Sequence, residues 1–241
     1  MKLEIGPKII MKFDNGFYIT NTTFFGLIVA AFMIIMALWL TGRMEKIPRG
    51  KQVVAEFIVE FVYKLTTDTM GKQAKNFAPY IGTLFIYLII GNALGLIGWR
   101  PVTADVNTTF ALAFITFLLI QITAIRNHGV GGKLKEMCRP YPFMFPLNII
   151  EQISFPISLA FRLFGNILAG VIVMELLYHG LHVFSDALHL PIPLLQAVIP
   201  LPANFFFDVF EPILQAFIFT MLTMVFISRE ILIQSAFSET H

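Results

Sequence analysis

Arg162 is the only charged side chain between Glu151 and Glu175, and it sits in the stretch SLAFRLFGNILAG (Ser158–Gly170). A guanidinium keeps its proton in a protein. It can hold an anion or interrupt a proton path, but it cannot relay a proton. A charge near the centre of a bilayer costs at least ~2.5–3.5 kcal/mol and is a functional-site hypothesis by default. On a helix, Glu151 lies almost three turns from Arg162 and shares its face. Ser154, Ser158 and Asn166 fall close to the same line. Gly165, Ala169 and Gly170 keep the neighbouring surface thin. Further along, Asp208, Glu211 and Gln215 stand at i, i+3 and i+7, again on one face. Carboxylates can pass a proton or hold a cation transiently. Buried without a partner or water they are expensive.

Elements long and apolar enough to carry these residues through a bilayer are present. The chain of 241 residues is 57% hydrophobic and 13% charged, with mean hydropathy +0.77. Ordinary soluble domains carry about 25% charged residues, so lipid must solvate part of this surface. Residues 24–40, 80–98 and 109–125 each have the length of a transmembrane helix. The apolar regions 148–178 and 193–227 are longer than a ~30 Å hydrocarbon core requires, so each must tilt, break or extend beyond it. Residues 51–70 alternate Val53, Val54, Phe57, Ile58, Phe61, Val62 and Leu65 with Gln52, Glu56, Glu60, Lys64 and Asp68. That 3.6-residue period predicts an amphipathic helix lying on the membrane surface or against a partner. The expected fold is an all-α polytopic membrane protein, a single domain over residues 1–241. It has five crossings, one interfacial amphipathic helix and a final antiparallel hairpin of long, tilted helices.

Loop charge sets the expected orientation. Arg43, Lys46, Arg49 and Lys51 occupy one loop, and Arg126, Lys133, Lys135 and Arg139 another. The alternate loops hold Arg100 alone or no Lys or Arg. By the positive-inside rule the basic loops are cytoplasmic, with the N-terminus outside and the C-terminus inside. If Gln215 is level with Arg162, helix rise places Asp208 ~10 Å and Glu175 ~20 Å toward the outside, and Glu151 ~16 Å toward the cytoplasm. Titratable groups then flank a central arginine on both sides, as in two offset half-channels separated by a positive gate. A structural salt bridge from Arg162 to Asp208 or Glu211 is the alternative. Small and polar residues such as Ser158 also serve plain helix packing, and Glu175 also suits the headgroup region.

Other classes are less well supported. A secondary transporter with a charged midplane site is the second reading, but no internal repeat is visible. An intramembrane hydrolase would need paired catalytic groups at midplane depth. GVGGKL (Gly129–Leu134) lacks the spacing of a phosphate loop. His179, His182 and His189 fit no standard helical ligand pair and read as solvated histidines of an outer loop. Cys138 is the sole cysteine, which excludes an intrachain disulfide. A net charge of +2, with no basic stretch interleaved with aromatics, argues against a nucleic-acid partner. No metal or cofactor is expected.

SLAFRLFGNILAG closely resembles the corresponding stretch of subunit a of bacterial F-type ATP synthases. FEPILQAFIFTMLTMVFIS (Phe210–Ser228) is similar to that family's last helix, PVTADVNTT (Pro101–Thr109) to its outer loop, and NALGLI (Asn92–Ile97) to the end of the preceding span. The resemblance covers nearly the whole chain in order. It implies a non-catalytic, ion-translocating subunit (H+ or Na+) of a bacterial plasma membrane. The implied partners are the c-subunit ring, the peripheral-stalk b subunits and the rest of the synthase, in a lipid bilayer. By the same resemblance Arg162 faces the ring carboxylates, with Asn166 one turn away and Gln215 opposite. Asp208 and Glu211 belong to the outer path, and Glu151 to the cytoplasmic path. The chain departs from the family at Val171, where many members carry an acid or a histidine. Glu175, one turn further out, is the expected substitute.

Overall fold

The computed structural model describes residues 9–12, 18–42, 44–138, 141–187 and 198–238. Arg43, Arg139, His189 and the start of the last expected crossing at 193–197 lie outside the described residues. A short antiparallel hairpin pairs β1 (Ile9–Lys12) with β2 (Tyr18–Thr20). Every other regular element described is helical: α1 (Asn21–Thr41), α2 (Lys51–Met70), α3 (Ala78–Ala93), α4 (Val106–Met137), α5 (Phe145–Ala187), α6 (Pro200–Phe205) and α7 (Glu211–Ser238), with short 3-10 turns between several of them. A π-helical turn, Phe206–Phe210, joins α6 to α7. Five segments are long and apolar enough to cross a membrane: Asn21–Thr41, Lys72–Ile97, Val106–Asn127, Pro142–Ala187 and Pro200–Ile231. They overlap the five expected crossings, and the chain is a multi-pass membrane protein.

Two elements extend further than expected. The basic stretch read as a loop from Arg126 is helical to Met137, broken once at Gly129, where φ is 68° and ψ is 167°. Glycine adopts that conformation without the Cβ penalty that other residues meet there. The outer loop expected at Leu181–Leu190 is helical to Ala187, so His179 and His182 stand on α5 rather than in a loop. His182 pairs with Asp186 at 2.9 Å, one turn along, at an exposed site. Helix α5 carries 43 residues as one element, so it answers its excess length by extending.

Helix α2 has one face against the bundle and another turned away from it. Ala55, Val62, Thr66 and Met70 are buried against the bundle, while Val53, Val54, Phe57 and Phe61 are exposed. The apolar stripe expected along α2 is therefore split, and most of it points away from the other helices. Helix α1 buries only Thr22, Gly26 and Val29. Its N-terminal end is held by Thr22 Oγ1, which donates to Asp105 Oδ2 at 2.6 Å.

The core lies where α7 passes α3, α4 and α5. Leu84, Leu88, Leu159, Leu163 and Phe219 form one cluster. Met70, Ile81, Ile120, Met224 and Ile227 form the next. Lipid tails are as apolar as these side chains, so dispersion and close fit hold the helices together rather than escape from water. Three of the buried threonines satisfy themselves locally. The hydroxyls of Thr66, Thr123 and Thr223 return to the carbonyls of Val62, Leu119 and Phe219.

Candidate functional site between the two long helices

Helices α5 and α7, with the π-turn and α6, meet through a series of contacts that runs antiparallel. Asn204 Nδ2 donates to the Tyr178 hydroxyl at 2.8 Å. A Cβ on Gly170 would lie 3.6 Å from Glu211 Oε2 and 3.0 Å from Phe207 Cδ1. Asn166 Nδ2 donates to Gln215 Oε1 at 2.9 Å. The Phe155 and Phe226 rings lie 3.7 Å apart, centroid to centroid. Arg229 Nη1 donates to Glu151 Oε1 at 3.1 Å. Gln215 is therefore level with Asn166, one turn away from Arg162. The level assumed from the sequence is off by that turn. Gly170 fixes the approach, since any larger residue would push Phe207 aside.

Arg162 is exposed on α5. Among the described residues it has no hydrogen-bond or ion-pair partner, so no bridge to Asp208 or Glu211 forms. It lines a cavity of about 330 Å³ with Ser154, Ser158 and Glu151 of α5 and Leu222 and Phe226 of α7. Gln215 is buried at 3% exposure. Its Oε1 is engaged by Asn166, and its Nε2 has no partner among the described residues.

Two larger cavities lie on opposite sides of the Asn166–Gln215 contact. One, of about 670 Å³, brings Glu175, Asp208 and Glu211 together, with Val171 in its wall and His179, His182 and Asn204 around it. Asp208 reaches it from the π-turn, a form of helix that often marks functional sites. The other, of about 580 Å³, is lined by Glu151, Arg229, Gln121, Gln152, Lys133 and Glu230. This second cavity shares Glu151, Phe155 and Phe226 with the small cavity at Arg162. The cavity of Glu175 shares no lining residue with either.

Two features were missed by reasoning from sequence. Asn92 is 1% exposed in the wall of the larger cavity. Its Oδ1 accepts from Thr103 Oγ1, while its Nδ2 has no partner among the described residues. An asparagine inside an apolar span was the available signal. Lys133, counted with the loop charges, is instead buried, with Nζ 2.8 Å from both carboxylate oxygens of Glu230. No local pattern links two residues so far apart in the chain.

Comparison with known proteins gives these residues a context. Residues 23–228 match the family model described as the ATP synthase A chain. ATP synthase subunit a of Moorella thermoacetica is 38% identical over 203 residues, covering 81% of this chain and 86% of that protein. The sodium-ion-specific ATP synthase subunit a of Propionigenium modestum is 32% identical over 232 residues, 90% of this chain and 75% of its own. ATP synthase subunit a of Bacillus velezensis is 35% identical over 237 residues, 93% and 96%. The matched span reaches all five apolar segments and takes in every residue of the small cavity at Arg162, and the chain belongs to the ATP synthase A chain family.

Proposed function

We propose that this protein is the ion-conducting stator subunit of a rotary F-type ATP synthase in a bacterial plasma membrane, with its N-terminus outside and its C-terminus in the cytoplasm. Its partners are the c-subunit ring, the peripheral-stalk b subunits and the remaining synthase subunits, which carry the nucleotide chemistry. The observation that carries this reading is the pair of carboxylate-lined cavities that share no residue, with Arg162, unpaired among the described residues, in the small cavity that borders the Glu151 cavity.

In this reading the cavity of Glu175, Asp208 and Glu211 is the outer half-channel. The cavity of Glu151 is the inner one and continues past Ser158 to Arg162. A ring carboxylate takes an ion from the outer cavity, becomes neutral, travels through lipid and releases the ion toward Glu151. Next to Arg162 the ionised carboxylate is stabilised by the opposite charge. It cannot move into lipid while charged, because desolvation opposes that step. Arg162 holds its proton throughout, so no continuous proton wire joins the cavities. Asn166 and Gln215 fill the seam between them. The membrane potential supplies ~2.3 kcal/mol per charge per 100 mV.

The test is Arg162→Ala in the whole complex reconstituted into vesicles, with ATP-driven acidification recorded with and without sodium alongside passive leak. Lost pumping with assembly intact is expected, and raised leak would show that the arginine blocks a short circuit. Normal pumping would make Arg162 a structural charge and end the half-channel reading.

A further inference from the structure

We infer that Lys133 and Glu230 form a buried lock that holds the segment after Gly129 as a wall of the Glu151 cavity, making both of them positioning residues for ion access to Glu151. The chain changes course at Gly129, the one non-helical residue within α4. Among the described contacts, one fastens the middle of the segment beyond it and another its end. In its middle, Lys133 Nζ lies 2.8 Å from each carboxylate oxygen of Glu230 on α7, and the two side chains are 7% and 9% exposed. At its end, Asn148 Nδ2 of α5 donates to the Met137 carbonyl at 2.7 Å. Asn127, just before the break, donates through Nδ2 to the Glu230 carbonyl at 3.4 Å. Lys133, Met137, Asn148 and Glu230 all line the cavity that contains Glu151 and Gln152.

A Cβ on Gly131 would meet nothing within 4 Å, and Val130 and Leu134 are exposed. A buried ion pair adds little net stability when intact, but removing one partner costs the other its two-point contact. The segment after Gly129 then loses its middle fastening to α7 and can move off the cavity, which changes how water reaches Glu151. The Arg229–Glu151 pair beside it is 57% exposed on each side and cannot substitute, because exposed pairs hold geometry weakly.

The link to ion access rests on the function proposed above, whereas the lock itself can be tested without it. The experiment uses the whole complex with Gln152→Cys as a reporter in a Cys138→Ser background. Labelling by a membrane-impermeant maleimide reads the wall, and ATP-driven pumping reads the path. Lys133→Met should raise the labelling rate several-fold and alter pumping. Combining Lys133→Glu with Glu230→Lys should return both toward the parent. Unchanged labelling in Lys133→Met, with the complex at its parental amount, overturns the lock. Changed labelling with parental pumping supports the lock and instead removes this cavity from the ion path. If Lys133→Met does not accumulate, the paired exchange decides: recovered assembly supports the lock, and none overturns it.

Discussion

Asn166 donates a 2.9 Å hydrogen bond to Gln215 and so ties the two long helices together one turn from Arg162. This contact lies between cavities that share no lining residue. Interhelical hydrogen bonds in membranes average about 0.6 kcal/mol. Gln215→Leu should therefore barely change how much complex assembles, yet it should reduce coupled pumping several-fold. Quantifying assembled complex and ATP-driven acidification in the same vesicles checks this. A proportional fall in both would make the contact structural only.

Gly170→Val places side-chain atoms where a Cβ alone would already lie 3.0 Å from the Phe207 ring. Phe207 and the π-turn carrying Asp208 must shift, and the Glu175 cavity should narrow. We expect slower pumping with assembly preserved. Gly180→Ala, on the same helix with nothing within 4 Å, should leave pumping unchanged and stabilise the helix by about 0.5–1 kcal/mol.

Asp208→Ala should slow ion translocation without uncoupling it, because Glu175 and Glu211 line the same cavity. The measurement is the initial pumping rate together with passive leak. Full wild-type pumping would remove Asp208 from the path.

Asp105 carries two loads at one end of the bundle. Its Oδ2 accepts from Thr22 of α1, and its Oδ1 accepts from the Asn107 backbone N–H at the start of α4 at 3.0 Å. Losing a helix cap of this kind costs about 0.5–2 kcal/mol. Asp105→Ala should also loosen α1, whose own burial is confined to Thr22, Gly26 and Val29. Faster protease cleavage near α1 would show it. Asp105→Asn, which keeps an acceptor for the cap, should be milder.

Much of this arrangement is legible in the sequence. Polar residues at helical spacing inside long apolar runs are few enough to identify the face that carries Glu151, Ser158, Arg162 and Asn166. Apolar length delimits the crossings. The relative height of α5 and α7 is not encoded in either helix alone. It follows from how Phe207 seats against Gly170, which is why Gln215 meets Asn166 and not Arg162. The change of helical type at Phe206–Phe210 also escapes a periodicity argument, since five residues are too few to establish a period. Lys133 reads as a solvated loop charge because glycines and other charges surround it, and its partner Glu230 is 97 residues away.

The gap between the Glu175 cavity and the small cavity at Arg162, which shares lining residues with the Glu151 cavity, has an electrical consequence. Along α5, the nearest lining residues on the two sides are Ile167 and Arg162. Five residues of helix span about 7.5 Å, against a hydrocarbon thickness of about 30 Å. Water filling both cavities would be nearly equipotential with the solution on its own side. The voltage across the membrane would then drop mainly over that short seam instead of the full thickness. An ion bound beside Arg162 would experience a field about four times steeper than a uniform slab provides, and most of the electrical work would be done within one helical turn of the Asn166–Gln215 contact.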